Sequence, residues 1–246
     1  MRKAIFLIFV FLLSHAVFSK QIPVKCTYLI SEKTNSIKDY DNANYSIKTE
    51  GKSVYVNVNT TPFRIKVPYP YEIKDEKLLK LIEKNKKNAE IFIPIIEKLT
   101  KNKKDYFSVV NSVLNFVAYK FKYSSTEKSP FIGDCNTAAK TTVKMLSLCG
   151  IPARIRYVIK IEKAKTISGK SLHAVVEIYY PQKGWAMSDP LKYHHFIPAN
   201  YLLTNNSDNL LGIRIKKKNC LKKNAFTDIL KGKTIIYKLP NLFRYY

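Results

Sequence analysis

Apolar residues recur along this chain with two different periods, and the switches between them mark its organisation. From residue 21 to 61 the period is two. Cys26 to Ile30, Tyr45 to Lys48 and Ser53 to Val58 read as strands separated by polar turns, of which Glu50-Gly51-Lys52 is the clearest. Val54, Val56 and Val58 alternate with Tyr55 and Asn57, as in a half-buried hairpin. Pro68-Tyr69-Pro70 is extended, because a proline disfavours helix at the residue before it, and it introduces a helical stretch. Ile73, Lys77, Leu78, Leu81 and Ile82 predict a first helix. Ala89 to Leu99 predicts a second segment that Pro94 kinks or restarts. Tyr106 to Phe121 predicts a third, with Val109, Val110, Val113, Leu114, Val117 and Ala118 at three and four spacing. Ala139, Val143, Leu146 and Cys149 continue the period into a fourth, which Asp134 is placed to cap and Gly150-Ile151-Pro152 stops.

Beyond that stop the period returns to two. Ile155, Tyr157, Ile159 and Ile161 predict a strand, followed by a loop rich in Lys, Ser and Gly from Lys163 to Ser171. Leu172 to Tyr180 predicts a second strand, with His173, Val175, Glu177 and Tyr179 on one face. Pro181-Gln182-Lys183-Gly184 is turn chemistry, and Trp185 to Asp189 returns as the next strand. Gly212 to Lys218 and Thr234 to Lys238 predict two closing strands, and the aromatic Leu242 to Tyr246 tail is expected to dock on the sheet.

This arrangement places Cys135 in the first turn of a helix, where unpaired amides and the positive end of the helix dipole favour a thiolate and are able to donate to an oxyanion. His173 and Asp189 follow in chain order. Cysteine chemistry calls for these three types: the thiolate is the nucleophile, an imidazole takes the thiol proton, and a carboxylate sets the imidazole's tautomer and steadies its charge. Taken one at a time, such residues are usually core or surface residues; in this order, with these flanks, they are harder to dismiss.

The stretch from Gly133 to Pro190 resembles the transglutaminase-like domains of the papain-like cysteine enzyme superfamily. It carries Gly133-Asp134-Cys135, His173-Ala174, Gly184-Trp185 and Asp189-Pro190, and the resemblance extends over roughly residues 71 to 201. It implies an α+β fold in which helices pack on an antiparallel sheet and the nucleophile sits at a helix N-terminus. It also implies Cys135 as nucleophile, His173 as general base and acid, and Asp189 as the orienting carboxylate. The chain departs from the family's pattern at Val175, where the family usually has Trp two residues after the histidine, a change that leaves the triad intact.

A partnership of His173 with Asp189 constrains the hairpin between them. In an antiparallel pair the numbers of opposed residues add to a constant, and opposed residues share a face. A regular two- or four-residue turn centred on Gln182-Lys183 gives an odd constant and turns Asp189 to the wrong face. The connection therefore needs an odd loop or a bulge, for which Gly184 is the natural site, or Asp189 must leave the strand before Pro190. Were Asp189 out of reach, Glu177 on the face of His173 would be the next candidate.

Arg2 and Lys3 precede an uncharged apolar run of ten residues, Ala4 to Leu13, with Val17 and Ser19 in the small-residue positions of a cleavage site. This reads as a signal peptide over 1–19, the run being short of the ~20 apolar residues of a membrane span. The expected organisation is then a strand-rich segment over 20–70, the catalytic core over 71–201 and strands over 202–246 that close the same domain. The chain carries 43 Lys and Arg against 18 Asp and Glu, a formal charge of +25 that falls to +23 without the leader. Such an excess attracts anionic envelope polymers or membrane surfaces, although the lysines are scattered and arginine is sparse. No module that reads bases or phosphates is visible, so nucleic acid ranks last among partners and a protein or peptide substrate first. His194 and His195 point to opposite sides of an extended chain and lack a His-Glu-x-x-His or paired Cys-x-x-Cys setting, so they read as a cleft-lining loop and not as a metal site; no cofactor is called for.

Of the four cysteines, Cys149 cannot bridge Cys135 within one helix, since their separation at ~1.5 Å per residue is ~21 Å and a disulfide tolerates ~7 Å between Cα atoms. Cys149 reads as a small core residue. Cys26 and Cys220 remain, either joined to each other or both free. The functional expectation is an exported cysteine enzyme that attacks an amide carbonyl through a thioester, with hydrolysis preferred over cross-linking. Two alternatives stand beside it: a protein-glutamine transamidase, and a non-catalytic envelope-binding module that retains the fold.

Overall fold

The computed structural model describes residues 19–32, 36–60, 67–167, 172–204, 212–230 and 233–237. The leader reading of 1–19 and the tail from Leu242 to Tyr246 lie outside these residues, apart from Ser19. The fold is α+β, with helices on one face of an antiparallel sheet and a second sheet on the other.

The N-terminal strands are β1 (Ser19–Ile30), β2 (Tyr40–Asp41), β3 (Tyr45–Glu50) and β4 (Ser53–Val58). In β4, Val54 and Val56 are buried while Tyr55 and Asn57 face out, so the alternation of the sequence is that of a one-faced sheet. The helices follow. α1 (Glu76–Lys86) is capped by the Asp75 carboxylate, which accepts from the Lys77 and Leu78 amides at 2.7 and 3.1 Å. A 3-10 turn over Glu90–Phe92 leads into α2 (Ile93–Thr100), in which Pro94 occupies the first turn; the proline restarts the helix where its missing N–H costs nothing. α3 (Tyr106–Lys120) is capped by Asp105 and buries Val109, Val110, Val113, Leu114 and Val117, each contributing ~1.5–3 kcal/mol by removal from water.

After the short strands β5 (Lys122–Tyr123) and β6 (Ile132–Gly133) comes α4 (Cys135–Leu148). It is buried on nearly every side, and the residues there are small: Thr137, Ala138, Ala139, Thr141 and Thr142 let neighbouring elements approach closely. Its C-terminus closes with Gly150 at φ 71° and the Ile151 amide returning to the Leu146 carbonyl at 3.0 Å.

The central sheet is built from β7 (Ala153–Lys160), β9 (Leu172–Tyr180), β10 (Gly184–Ser188) and β11 (Tyr201–Thr204), in the order β10-β9-β7-β11. The segment expected as a loop after β7 holds a further strand, β8 (Ala164–Thr166), whose three residues are too few for periodicity to reveal. β8 pairs with β12 (Arg214–Leu230), which runs well beyond the expected Gly212 to Lys218 because it pairs with β1 along one edge and continues to β13 (Lys233–Tyr237). The second sheet thus has the order β13-β12-β1-β4-β3-β2 and joins the two ends of the chain. Cys26 and Cys220 stand opposite each other in the β1–β12 register and are disulfide-bonded.

Two apolar clusters result. One lies between the helices and the central sheet, with Ala174, Val176, Ile178 and Tyr180 of β9 and Ala186 of β10 facing α2 to α4. The other lies between the two sheets and takes Val175 and Met187 from the opposite faces of the same strands. Val175, where the family pattern has Trp, is fully buried in this second cluster. The N-terminal segment also holds the free edge of β10: the Ala43 amide donates to Trp185 O, and the Asn44 amide group bonds Met187 N, Met187 O and His195 O, each at 2.9 Å.

Candidate active site

Cys135 owes its position to a cap and a strand end. The Asp134 carboxylate accepts from the Asn136 and Thr137 amides at 2.9 and 3.1 Å, which starts α4 at the cysteine and leaves the Cys135 N–H outside the cap. Gly133 allows this close turn, because a Cβ there would lie 2.4 Å from Thr137 Oγ1. In the sheet, β10 ends at Ser188 opposite Val176, so the edge of β9 beyond it is free of β10 pairing. The N-terminus of α4 meets that edge, where the His173 imidazole and the Ala174 amide are near enough to the thiol to favour its charged form.

The β9–β10 connection is a three-residue loop, Pro181-Gln182-Lys183, with positive φ at Gln182 (67°) and Gly184 (82°). All opposed pairs add to 364, an even constant, so Asp189 falls on the face of His173. It has also left the strand. Asp189 and Tyr193 exchange backbone hydrogen bonds at 2.8 and 3.0 Å, and Asp189 Oδ1 accepts from the Leu191 amide at 3.0 Å, so a tight turn holds the carboxylate in place. His173 Nε2 lies 2.9 Å from Asp189 Oδ2, which leaves Nδ1 for the thiol. The structure therefore brings Cys135, His173 and Asp189 into one chain of contacts.

The charges follow from these contacts. Burial alone would lower the His173 pKa, but hydrogen bonds and charge from Asp189 and Cys135 outweigh it and raise it to about 10. Burial likewise opposes ionisation of Cys135, yet the imidazole and the Ala174 amide bring its pKa below the ordinary thiol value. Asp189 is fully desolvated and still has a lowered pKa, because His173 and the Leu191 amide favour its charged form. Together these contacts favour a thiolate and an imidazolium backed by a carboxylate.

Tyr201 completes the surroundings. Its hydroxyl donates to Asp189 Oδ2 at 3.3 Å, and its ring meets the His173 imidazole edge-on with centroids 5.5 Å apart. Burial first, and then the Asp189 charge, push its pKa far up, so it stays a neutral donor. It stands in an apolar stretch with no motif around it, and no signal in a single sequence distinguishes it from a core tyrosine.

Glu177 is on the face of His173, as its position in β9 requires, but it belongs to a separate cluster. Its fully buried carboxylate accepts from Arg154 at 2.7 Å, from Asn42 at 2.7 Å and from the Tyr40 hydroxyl, and Arg154 lies over the Trp185 ring at 4.2 Å. Those partners come from the second sheet's β2–β3 region and from β7, so the cluster ties the two sheets together. The expectation that His194 and His195 line a cleft is corrected: both rings are buried. His195 lies between Tyr180 Oη at 2.8 Å and Asn111 Oδ1 at 3.3 Å and stacks on Phe107, while His194 reaches the Pro190 carbonyl at 3.2 Å. Burial lowers their pKa values to about 4 for His194 and about 3 for His195, so both rings are neutral. Among the described residues no cluster of His, Cys, Asp and Glu could hold a metal ion.

Residues 94–190, which contain all three members of the contact chain, match the family model described as the transglutaminase-like superfamily. Among solved structures, the chain is similar to a protein from Cytophaga hutchinsonii provisionally named a cysteine protease, at 14% identity over 86% of this chain and 93% of that one, with a TM-score of 0.46. It is also similar to the periplasmic domain of TgpA from Pseudomonas aeruginosa, at 13% identity over 72% and 73% of the two chains, with a TM-score of 0.42. No curated protein matches it. The matched residues span the helix bearing the thiol, the strand bearing the imidazole and the turn bearing the carboxylate, so this stretch of the chain is transglutaminase-like.

Proposed function

We propose that this protein is an exported cysteine enzyme that attacks an amide carbonyl with Cys135 and passes the acyl group to water. One observation carries the reading: the His173 imidazole stands 2.9 Å from the Asp189 carboxylate on one side and acts on the Cys135 thiol, at the start of α4, on the other. In the first step the thiolate adds to the carbonyl carbon, and the Cys135 N–H at the start of α4 donates to the oxyanion. His173, as imidazolium, gives its proton to the leaving amine as the C–N bond breaks, leaving a thioester on Cys135. Water then attacks the thioester while His173 takes its proton, and the carboxylic acid leaves as the thiol is restored. Asp189 holds the ring and supports its charge throughout without itself taking the proton. A primary amine in place of water would give transamidation by the same steps.

Export is supported by the apolar run behind Arg2 and Lys3 and by the Cys26–Cys220 disulfide, a bond that persists in oxidising compartments. Among the described residues no helix is long and apolar enough to cross a membrane.

The test begins with an alkyne-tagged iodoacetamide on the full chain: wild type should be labelled at Cys135 well below the pH at which an ordinary thiol reacts, and Cys135→Ala should not be labelled there. Turnover of casein, with and without a biotinylated alkylamine, then separates the acceptors. New chain termini mean water, and incorporated biotin means amine. Turnover retained by Cys135→Ala would refute the enzyme reading, and binding of substrate without turnover by the wild type would move it to a binding module.

A further inference from the structure

The lysines of this chain are spread over most of its surface, but one group of them converges beside the His173–Asp189 end of the central sheet. Lys160 ends β7, Lys163 and Lys165 lie in and next to β8, and Lys217 comes from β12, where its amide donates to Lys163 O at 2.7 Å. With Glu162 they line an open depression of about 560 Å³. Glu162 is the one acid there, and it is already paired with Lys160 at 3.0 Å.

Two features connect this depression to the site. Lys160 stands opposite Tyr201 in the β7–β11 register, and Tyr201 donates to Asp189. Lys192 belongs to the turn that holds Asp189, its amide donating to the Asp189 carbonyl at 3.1 Å. Burial, followed by the positive charges of Lys160 and Lys20, holds the Lys192 pKa below its ordinary value, although Asp189 and Glu162 act in the opposite direction. Cations are thus crowded together against the back of the triad with too few anions between them.

We propose that this depression holds an acidic stretch of the polypeptide whose amide Cys135 attacks, so that charge at a distance from the scissile bond selects the substrate. The proposal rests on the reading of Cys135 as an amide-attacking nucleophile. A peptide suits the site better than a phosphate polymer or a lipid surface for two reasons. The lining cations are all lysines, which offer point charges to scattered carboxylates and not the planar fork that phosphate recognition favours. In addition, β8 pairs only with β12 among the described strands, which leaves its other edge for the main chain of an extended peptide. Such a peptide places alternate side chains on one face ~6.6 Å apart, a spacing at which successive carboxylates reach successive lysines.

The experiment uses full-length Cys135→Ala protein, so that binding is read without turnover, and fluorescein-labelled deca-glutamate as the probe, with deca-glutamine as the neutral control. Fluorescence anisotropy should show deca-glutamate binding that weakens with added salt. Replacing Lys160, Lys163 and Lys217 together by Gln should weaken it about tenfold, the scale expected for three exposed ion pairs lost at once. Replacing Lys77, Lys84 and Lys87 of the α1 region by Gln removes the same charge elsewhere and should change binding less than about twofold. The triple replacement of Lys160, Lys163 and Lys217 by Arg keeps the charge and should bind as the parent does; with normal binding in that variant, a loss in the Gln variant is a loss of charge and not of fold. Equal weakening by the two Gln variants, no binding of deca-glutamate at all, or a dependence on these lysines seen only with polyphosphate or phosphatidylglycerol vesicles would each overturn the proposal. Iodoacetamide labelling of Cys135 is read separately, so failure here leaves the nucleophile assignment standing or falling on its own test.

Discussion

Replacing Asp189 by Asn isolates the charge of the carboxylate from its shape. The amide oxygen can still accept from the Leu191 amide, now 3.0 Å from Oδ1, and the turn from Asp189 to Tyr193 is held by backbone bonds that do not involve the side chain. What is lost is the negative charge 2.9 Å from His173 Nε2. That charge is among the causes that raise the His173 pKa from 6.5 to about 10 against the pull of burial. Without it, burial favours the neutral ring, and the thiolate loses the imidazolium that stabilises it. A Cys135 thiol returned to its ordinary value of 9.0 is only ~3% ionised at about pH 7.5, so alkylation by iodoacetamide there should slow, by at most ~30-fold. The assay follows second-order inactivation of the free thiol against pH, which needs no knowledge of the substrate, with Cys149 excluded by its burial and by its pKa, raised to about 12. In the wild type the rate should rise well below 9.0, and in Asp189→Asn the rise should move to higher pH. A variant whose profile overlays that of the wild type within about twofold would show that the ion pair does not depend on Asp189, and the electrostatic account of the site would fail.

Glu177→Gln should leave the alkylation profile unchanged but lower stability by about 2–4 kcal/mol in urea unfolding, because Arg154 and the buried polar groups around it lose a charged partner; a shifted profile with unchanged stability would contradict this. Acid should destabilise the fold through His194 and His195. Their folded pKa values lie below the unfolded 6.5, so the unfolded chain binds more protons between pH 6.5 and about 4, and the stability present above 6.5 is lost as pH falls. From pH 6.5 to about 5 the two rings together should cost ~3 kcal/mol, a loss that His195→Gln should roughly halve; a urea midpoint flat over that range would refute the buried, neutral assignment. Cys26→Ala with Cys220→Ala should lower stability by about 2–5 kcal/mol without moving the Cys135 alkylation profile, since the bond joins β1 to β12 in the sheet remote from the thiol's own contacts; equal melting temperatures would remove its stabilising role.

The local parts of this protein are legible in one dimension because they depend on neighbours in sequence. Asp134 caps its helix within three residues of itself, Pro94 restarts a helix by its own ring, and Leu172 to Tyr180 is a strand from end to end. The even register of the β9–β10 hairpin belongs here too: if His173 and Asp189 are partners the loop must be odd, and it is a three-residue loop with positive φ at Gln182 and Gly184. Other features depend on residues far apart along the chain, and no periodicity encodes them. β8 exists because β12 pairs with it, and β12 extends because β1, nearly two hundred residues away at the disulfide, offers an edge along its length. Whether Cys26 and Cys220 join was equally open until the register set them opposite each other. The same holds for Tyr201 against His173, for Tyr40 and Asn42 on Glu177, and for the two histidines that the local pattern placed at a cleft and the packing placed in the core. A side chain's local period says which way it points from its own element. What it meets there is decided by the surface of another element, and that surface forms only when the two sheets and the helices close around one another.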